Sequence, residues 1–129
     1  MTRILLDTHV LLWTAGPQSR LSPALRGRIE DPDIEALFSA ASIWEIAIKQ
    51  SQRRDDFQVD PSALRTKLLE EGYVELAVLG AHAVAVATLP WIHKDPFDRL
   101  LVAQAIVEDA ELLTVDAQLA RYPGPIRVF

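Results

Sequence analysis

At 129 residues the chain is the size of one domain, long enough to bury about two-thirds of its unfolded surface without a disulfide or metal to hold it together. Half its residues are hydrophobic and 24% are charged, which excludes wholesale disorder, and the absence of cysteine excludes disulfides and thiolate metal sites. The formal charge of −5 looks unsuited to binding nucleic acid, but carboxylates gathered around a divalent cation would by themselves make a chain acidic.

Residues 3–6 are short and apolar and predict a first strand ending at Asp7; residues 10–13 continue as a helix that Gly16-Pro17 stops. Ser22-Pro23, an N-cap followed by proline at the first helical position, opens a helix to about Glu30. After the turn Asp31-Pro32-Asp33, residues 36–38 predict a second strand, and Ser39 caps a helix over residues 40–53. Asp60-Pro61 starts another helix through Glu71, closed by Gly72, and residues 73–78 predict a third strand. A small helix over residues 81–88 follows, and Asp95-Pro96 opens a long helix to about Asp109. Residues 112–115 predict a fourth strand ending at Asp116, then one or two helical turns. Pro123-Gly124-Pro125 breaks the chain before a last strand over residues 126–129.

Strands alternating with helices imply a largely parallel sheet of four to five strands with helices on both faces, and the uniformly apolar strands suit a sheet covered on both sides. The expectation is therefore a three-layer α/β/α domain spanning residues 1–129. Asp7 and His9 interrupt the first apolar stretch where a signal peptide would stay apolar. No run reaches the ~18 apolar residues of a membrane span, so the expectation is a cytoplasmic protein with no membrane contact. No glycine-rich turn follows the first strand, which removes the dinucleotide fingerprint and the P-loop.

In open α/β sheets ligands sit beyond the carboxyl ends of the strands. Asp7 follows strand one and Asp116 follows strand four, so both should project at that end. Asp98 lies in the first turn of the helix feeding strand four, and Glu45 about two turns into the helix after strand two. Each acid has a plainer reading. Asp7, Asp95 and Asp116 can cap helices, and Glu45 can pair with Lys49 along a solvated stripe. Together, however, several like charges at one end of a sheet cannot all ionise cheaply. Mg²⁺ or Mn²⁺, which take hard oxygen ligands, would relieve that cost. His9, His82 and His93 are scattered along the chain, which speaks against zinc. The chemistry such a cluster supports is hydrolysis of a phosphate ester.

The segment Leu5-Leu6-Asp7-Thr8-His9-Val10-Leu11-Leu12-Trp13 resembles the opening of PIN-domain ribonucleases, and among them the toxin halves of bacterial VapBC toxin–antitoxin pairs. Ser42-Ile43-Trp44-Glu45-Ile46-Ala47-Ile48-Lys49 is similar to that family's second motif, the stretch from His93 to Ala105 to its third, and Leu112-Leu113-Thr114-Val115-Asp116 to its fourth. The likeness covers essentially the whole chain, with all four motifs in order. It implies an acidic quartet of Asp7, Glu45, Asp98 and Asp116 as catalytic residues. Asp7, Asp98 and Asp116 would be ligands of Mg²⁺ or Mn²⁺, and Glu45 would bind a second ion or orient water. Thr114 resembles the hydroxyl residue that lines such sites, while Asp95 is read first as a cap. The implied reaction is endonucleolytic cleavage of RNA that arrests translation. The implied partners are a VapB-like antitoxin and a second copy of the chain in a homodimer.

RNA requires positive charge around such a pocket. Lys49, Arg53 and Arg54 at the end of the Glu45 helix, with Lys94 and Arg99 beside Asp98, are candidate phosphate contacts. Arg99 can alternatively pair with an acid of the site. Trp13, Trp44 and Trp91 can stack unpaired bases. For Trp44, in an apolar helix, core packing is the first expectation. Two other classes fit less well: a catalytically inactive PIN-like scaffold, against which the intact quartet argues, and a phosphoacceptor signalling domain, which needs a lysine after a later strand that this chain lacks downstream of Asp116.

Overall fold

The structure, a computed structural model, describes residues 2–16, 20–52 and 59–129. Five strands make one sheet: β1 (Thr2–Leu6), β2 (Ile34–Ser39), β3 (Val74–Leu76), β4 (Glu111–Thr114) and β5 (Ile126–Val128). Their order is β3-β2-β1-β4-β5 and every neighbouring pair is parallel. The helices among the described residues are α1 (Thr8–Ala15), α2 (Pro23–Glu30), α3 (Ala40–Ser51), α4 (Pro61–Glu70), α5 (Gly80–Val86) and α6 (Pro96–Glu108), with a 3₁₀ helix over Ala117–Arg121. None of them is long and apolar enough to cross a membrane.

The pleat sends alternate strand residues to opposite faces, and both faces are covered. Ile4, Leu6, Phe38 and Leu113 pack with Val10 and Leu11 of α1, Leu25 of α2, and Leu64 and Leu68 of α4. Leu5, Leu37 and Leu112 pack on the other face with Leu101, Val102 and Ala105 of α6 and with Leu119 and Tyr122. Fully burying one such leucine contributes ~1.5–3 kcal/mol, so the two half-cores fix which face each strand residue takes. This is the expected three-layer α/β/α arrangement, with a wholly parallel sheet.

The expected third strand over residues 73–78 shrinks to three residues. β3 is an edge strand that pairs only with β2, and its last residue, Leu76, lies opposite Ser39. There β2 ends and α3 begins, so a longer β3 would have nothing to pair with. β2 in turn starts two residues earlier than expected, because its partner β1 runs back to Thr2 opposite Ile34.

The path of the chain creates a switch point. From central β1 it steps outward to β2 and β3 on one side, then returns to place β4 and β5 on the other. Helices leaving β1 and β4 diverge at such a point and leave a crevice beyond the strand ends. Asp7 immediately follows β1, and Asp116 stands two residues beyond β4.

Candidate active site

Asp7 is buried and does two jobs. One carboxylate oxygen caps α1 by accepting from Val10 N at 2.9 Å, and the other accepts the hydroxyl of Thr114. Thr114, fully buried at the end of β4, also accepts from the backbone N–H of Asp116 at 3.0 Å. One hydroxyl therefore ties the two strand-end acids together across the β1–β4 seam. Asp116 caps the following 3₁₀ helix through Gln118 N at 2.9 Å. The capping and site readings of these aspartates are compatible, because a carboxylate has about four acceptor positions and a cap uses one.

Glu45 enters from α3. Ser39 ends β2 and caps the helix by accepting from Ala41 N at 3.0 Å. The buried face of α3 is Ala41, Ser42, Glu45 and Ile46, so two polar residues stand among the apolar ones where an ordinary amphipathic helix would be apolar throughout. Glu45 is only 8% exposed; Oε1 accepts from the Thr8 hydroxyl at 2.8 Å, and Oε2 meets Lys49 Nζ at 3.2 Å. The Glu45–Lys49 pair expected from i,i+4 spacing thus exists, but on a buried acid rather than on a solvated stripe.

Asp98 comes from the first turn of α6. Asp95 is the cap there, accepting from Phe97 N at 2.8 Å and Asp98 N at 3.3 Å, as the Asp-Pro-Phe-Asp sequence predicts. Burial, and then the charges of Asp95, Asp7, Glu45 and Asp116, push the Asp98 carboxyl up to about 7. Asp7, Glu45 and Asp116 thus all lie near enough to act on Asp98 at one end of the sheet. Burial likewise raises Asp7, against hydrogen bonds from Thr114 and Val10 that lower it and with Asp116 adding to the rise. Carboxylate oxygens gathered closely enough to raise Asp98 to about 7 are a donor set that fits a hard divalent cation.

A residue that the sequence left scattered joins them. His93, in the loop before α6, sets Nε2 at 3.5 Å from Asp116 Oδ2 and 3.8 Å from Asp98 Oδ2. Among the described residues, His93, Asp98 and Asp116 bring a potential ligand atom each within 4.8 Å of one another. The backbone of His93 is pinned by the Tyr122 hydroxyl, which accepts from His93 N at 2.8 Å. No local signal in the sequence reports that anchor from 29 residues away.

The expected phosphate contacts fare unevenly. Lys49 points to Glu45, and Lys94 is exposed on the same groove, which also includes Asp95 and Phe97. Arg53, with Arg54, lies outside the described residues. Arg99 does not fit the expectation. It is 6% exposed, its guanidinium donates to Pro90 O at 2.9 Å, Tyr122 Oη at 3.2 Å and Val86 O at 3.3 Å, and it lies 4.5 Å from the centre of the Trp91 ring. One helical residue turns about 100° from the next, so Arg99 leaves the acids that Asp98 faces and instead fastens the loop before α6. Core packing fails for Trp44, which is 61% exposed and stands edge-on to Phe97 at 5.1 Å. With Glu45 turned inward, its neighbour on the helix is turned out.

Comparison with known proteins agrees with this fold. The family model described as PIN domain matches residues 4–125. The chain belongs to the PIN domain family. Over its whole length this PIN domain is 34% identical to Ribonuclease VapC22 of Mycobacterium tuberculosis (strain ATCC 25618 / H37Rv), in an alignment of 131 residues that covers 100% of both proteins. In fold it is similar to a chain of VapBC2 from Rickettsia felis bound to a DNA fragment from their promoter (TM-score 0.73, 12% identity, 99% of each chain). It is also similar to a chain of DNA-bound VapBC from Salmonella typhimurium (TM-score 0.68, 15% identity, 100% of this chain and 98% of that one).

Proposed function

We propose that this PIN domain is an endoribonuclease dependent on Mg²⁺ or Mn²⁺, acting in the cytoplasm as the toxin of a VapBC-type pair. The observation that carries the reading is the gathering of acids at the β1–β4 switch point. Thr114 joins Asp7 to Asp116, and Asp98 and Asp116 bring carboxylate oxygens within 4.8 Å of each other. Burial with the charges of Asp95, Asp7, Glu45 and Asp116 disfavours the Asp98 anion. The full-length likeness to a protein named as a ribonuclease supports RNA as the substrate, and the VapBC complexes among the fold relatives support an antitoxin as the partner. A homodimer is part of the same reading.

In this reading Asp7, Asp98 and Asp116 hold the cation, and Glu45 holds a second ion or orients water. A bound divalent ion supplies activation of water and stabilisation of charge on the phosphoryl oxygens. The chain's own residues do the rest. Thr114 keeps Asp7 and Asp116 at fixed separation through its two hydrogen bonds. The Thr8 hydroxyl orients Glu45, and the Glu45–Lys49 pair puts a positive charge at the edge of the pocket. Lys94, and Arg53 beyond the end of α3, are the proposed phosphate contacts, while exposed Trp44 offers a ring to an unpaired base.

The test is cleavage of total cellular RNA by purified protein with Mg²⁺ or Mn²⁺ and with EDTA, alongside Asp98→Asn. Discrete cuts that disappear with EDTA and in the variant are expected. Metal-dependent cuts of equal yield in Asp98→Asn would point to a contaminating nuclease and overturn the reading.

A further inference from the structure

The cluster of His93, Asp98 and Asp116 offers three groups to a cation, but the hydrogen bonding of the imidazole removes one of them. His93 Nδ1 accepts from the backbone N–H of Asp95 at 3.0 Å. A backbone amide can only donate, so Nδ1 carries no proton and the neutral ring must carry it on Nε2. A nitrogen bearing a proton has no lone pair for a metal. The atom that faces Asp98 and Asp116 is therefore an N–H donor, and its distances of 3.8 and 3.5 Å to the carboxylates are too long for hydrogen bonds.

The fold contains an internal contrast. His82 uses the same tautomer, with Nδ1 accepting from Leu79 N at 3.0 Å, but its Nε2 is satisfied by Glu108 Oε2 at 2.8 Å in a fully buried position. His93 is held as firmly, by Asp95 N on the ring and by the Tyr122 hydroxyl on the backbone. Its donor is instead aimed, partly exposed, into an acidic pocket. A preset donor next to carboxylates that would hold a cation suits one kind of atom, an anionic oxygen brought there together with the cation.

We propose that His93 is a substrate contact, not a metal ligand: its Nε2–H donates to a non-bridging oxygen of the scissile phosphate. The inference rests on the ribonuclease reading and adds a residue to it. The charge on that oxygen changes as the phosphorus is attacked, so the donor acts on turnover more than on binding.

The tautomer is tested without activity, by long-range ¹H–¹⁵N correlation of the imidazoles in ¹⁵N-labelled metal-free protein, with His93→Gln assigning the signals. A protonated Nε2 and an acceptor-type Nδ1 are expected, unchanged in type when Mg²⁺ is added. An Nδ1–H ring, or loss of the Nε2 proton with Mg²⁺, would overturn the proposal. On RNA that the wild type cuts, His93→Ala should lower kcat roughly 10²-fold with Mg²⁺ affinity little changed. His93→Gln, which returns an N–H near the same place, should recover part of the loss. Undiminished kcat in His93→Ala, or a loss of Mg²⁺ affinity as large as in Asp116→Asn, would overturn it while leaving the nuclease reading intact. Wild-type protein that binds Mg²⁺ but cuts no RNA would instead remove the nuclease reading, and the phosphate contact with it.

Discussion

Two partly buried polar clusters sit on this sheet, and they are built on opposite principles. Between α5, α6 and β1, His82 meets Glu108, Glu108 meets Arg3, and Gln104 joins Ser39 at 2.6 Å to the His82 ring at 3.4 Å. There every charge has its opposite: the hydrogen bond from His82, aided by Arg3, holds the Glu108 carboxyl below its usual value. At the β1–β4 switch point Glu45 is paired with Lys49, but the acids crowd Asp98, and burial together with the charges of Asp95, Asp7, Glu45 and Asp116 drives it the other way, to about 7. A balanced network holds helices to a sheet without help. An unbalanced one leaves a charge that the proposed cation would relieve, and on that reading charge balance separates the structural cluster from the proposed site without reference to any relative.

The comparison breaks most sharply in activity. Removing one acid by Asp98→Asn should reduce RNA cleavage by at least about 10²-fold, since metal-site partners one shell further out already cost 10–100-fold. Removing the centre of the other cluster should do the reverse. His82→Ala leaves Glu108 and Leu79 N without their partner and opens a cavity, a loss of about 3 kcal/mol in urea unfolding. Cleavage per folded molecule should stay within about twofold. A His82→Ala protein that is fully stable but inactive would mean the two clusters have been assigned the wrong way round.

The next effect is on stability and depends on pH. The folded chain holds the Asp98 proton more tightly than the unfolded chain, with a pKa of about 7 against 3.8. In metal-free protein the ionised form therefore costs nothing below about pH 4, and its cost grows as pH rises through 7. Asp98→Asn in EDTA should accordingly be more stable than wild type at pH 8, by on the order of 2 kcal/mol, with the gain vanishing toward pH 4. Mg²⁺ should raise the wild-type melting temperature at pH 8 and leave the variant nearly unmoved. A variant that instead melts early at pH 8 would make Asp98 a structural residue of α6.

Residues near a strand end or helix start were legible because local rules place them. Asp7 and Asp116 follow apolar strands, and Asp95-Pro96-Phe97-Asp98 is a helix start whose cap fixes Asp98 one turn in. α3 was harder. Its buried face mixes apolar Ala41 and Ile46 with Ser42 and Glu45 while Trp44 points out, so the rule that apolar residues face inward places Ile46 correctly but misplaces both Trp44 and Glu45. His93 and Arg99 were out of reach for another reason: both are set by Tyr122, 29 and 23 residues further along. Their roles depend on how β4 and the 3₁₀ helix bring that hydroxyl back under the loop. Local chemistry places what an element's own cap and period fix, and tertiary anchors place the rest, whether on a loop, as with His93, or on a helix, as with Arg99.

The smallest predicted effect has the opposite pH sign. Glu108 is held below its ordinary value chiefly by His82 and also by Arg3, so its contribution is present above the unfolded pKa of about 4.5 and is lost as pH falls below it. Glu108→Gln keeps an acceptor for His82 Nε2–H and gives up only the charge. Because Glu108 is near the surface and its pair with Arg3 is long at 3.4 Å, the loss at pH 7 should be no more than about 1–3 °C in melting temperature, shrinking to nothing by about pH 3. Melting curves of the two variants in EDTA should therefore diverge from wild type in opposite directions at high pH and meet it in acid. If Glu108→Gln instead gained stability as pH rose, the second cluster would also be one of unrelieved negative charge, and charge balance would no longer tell the scaffold from the site.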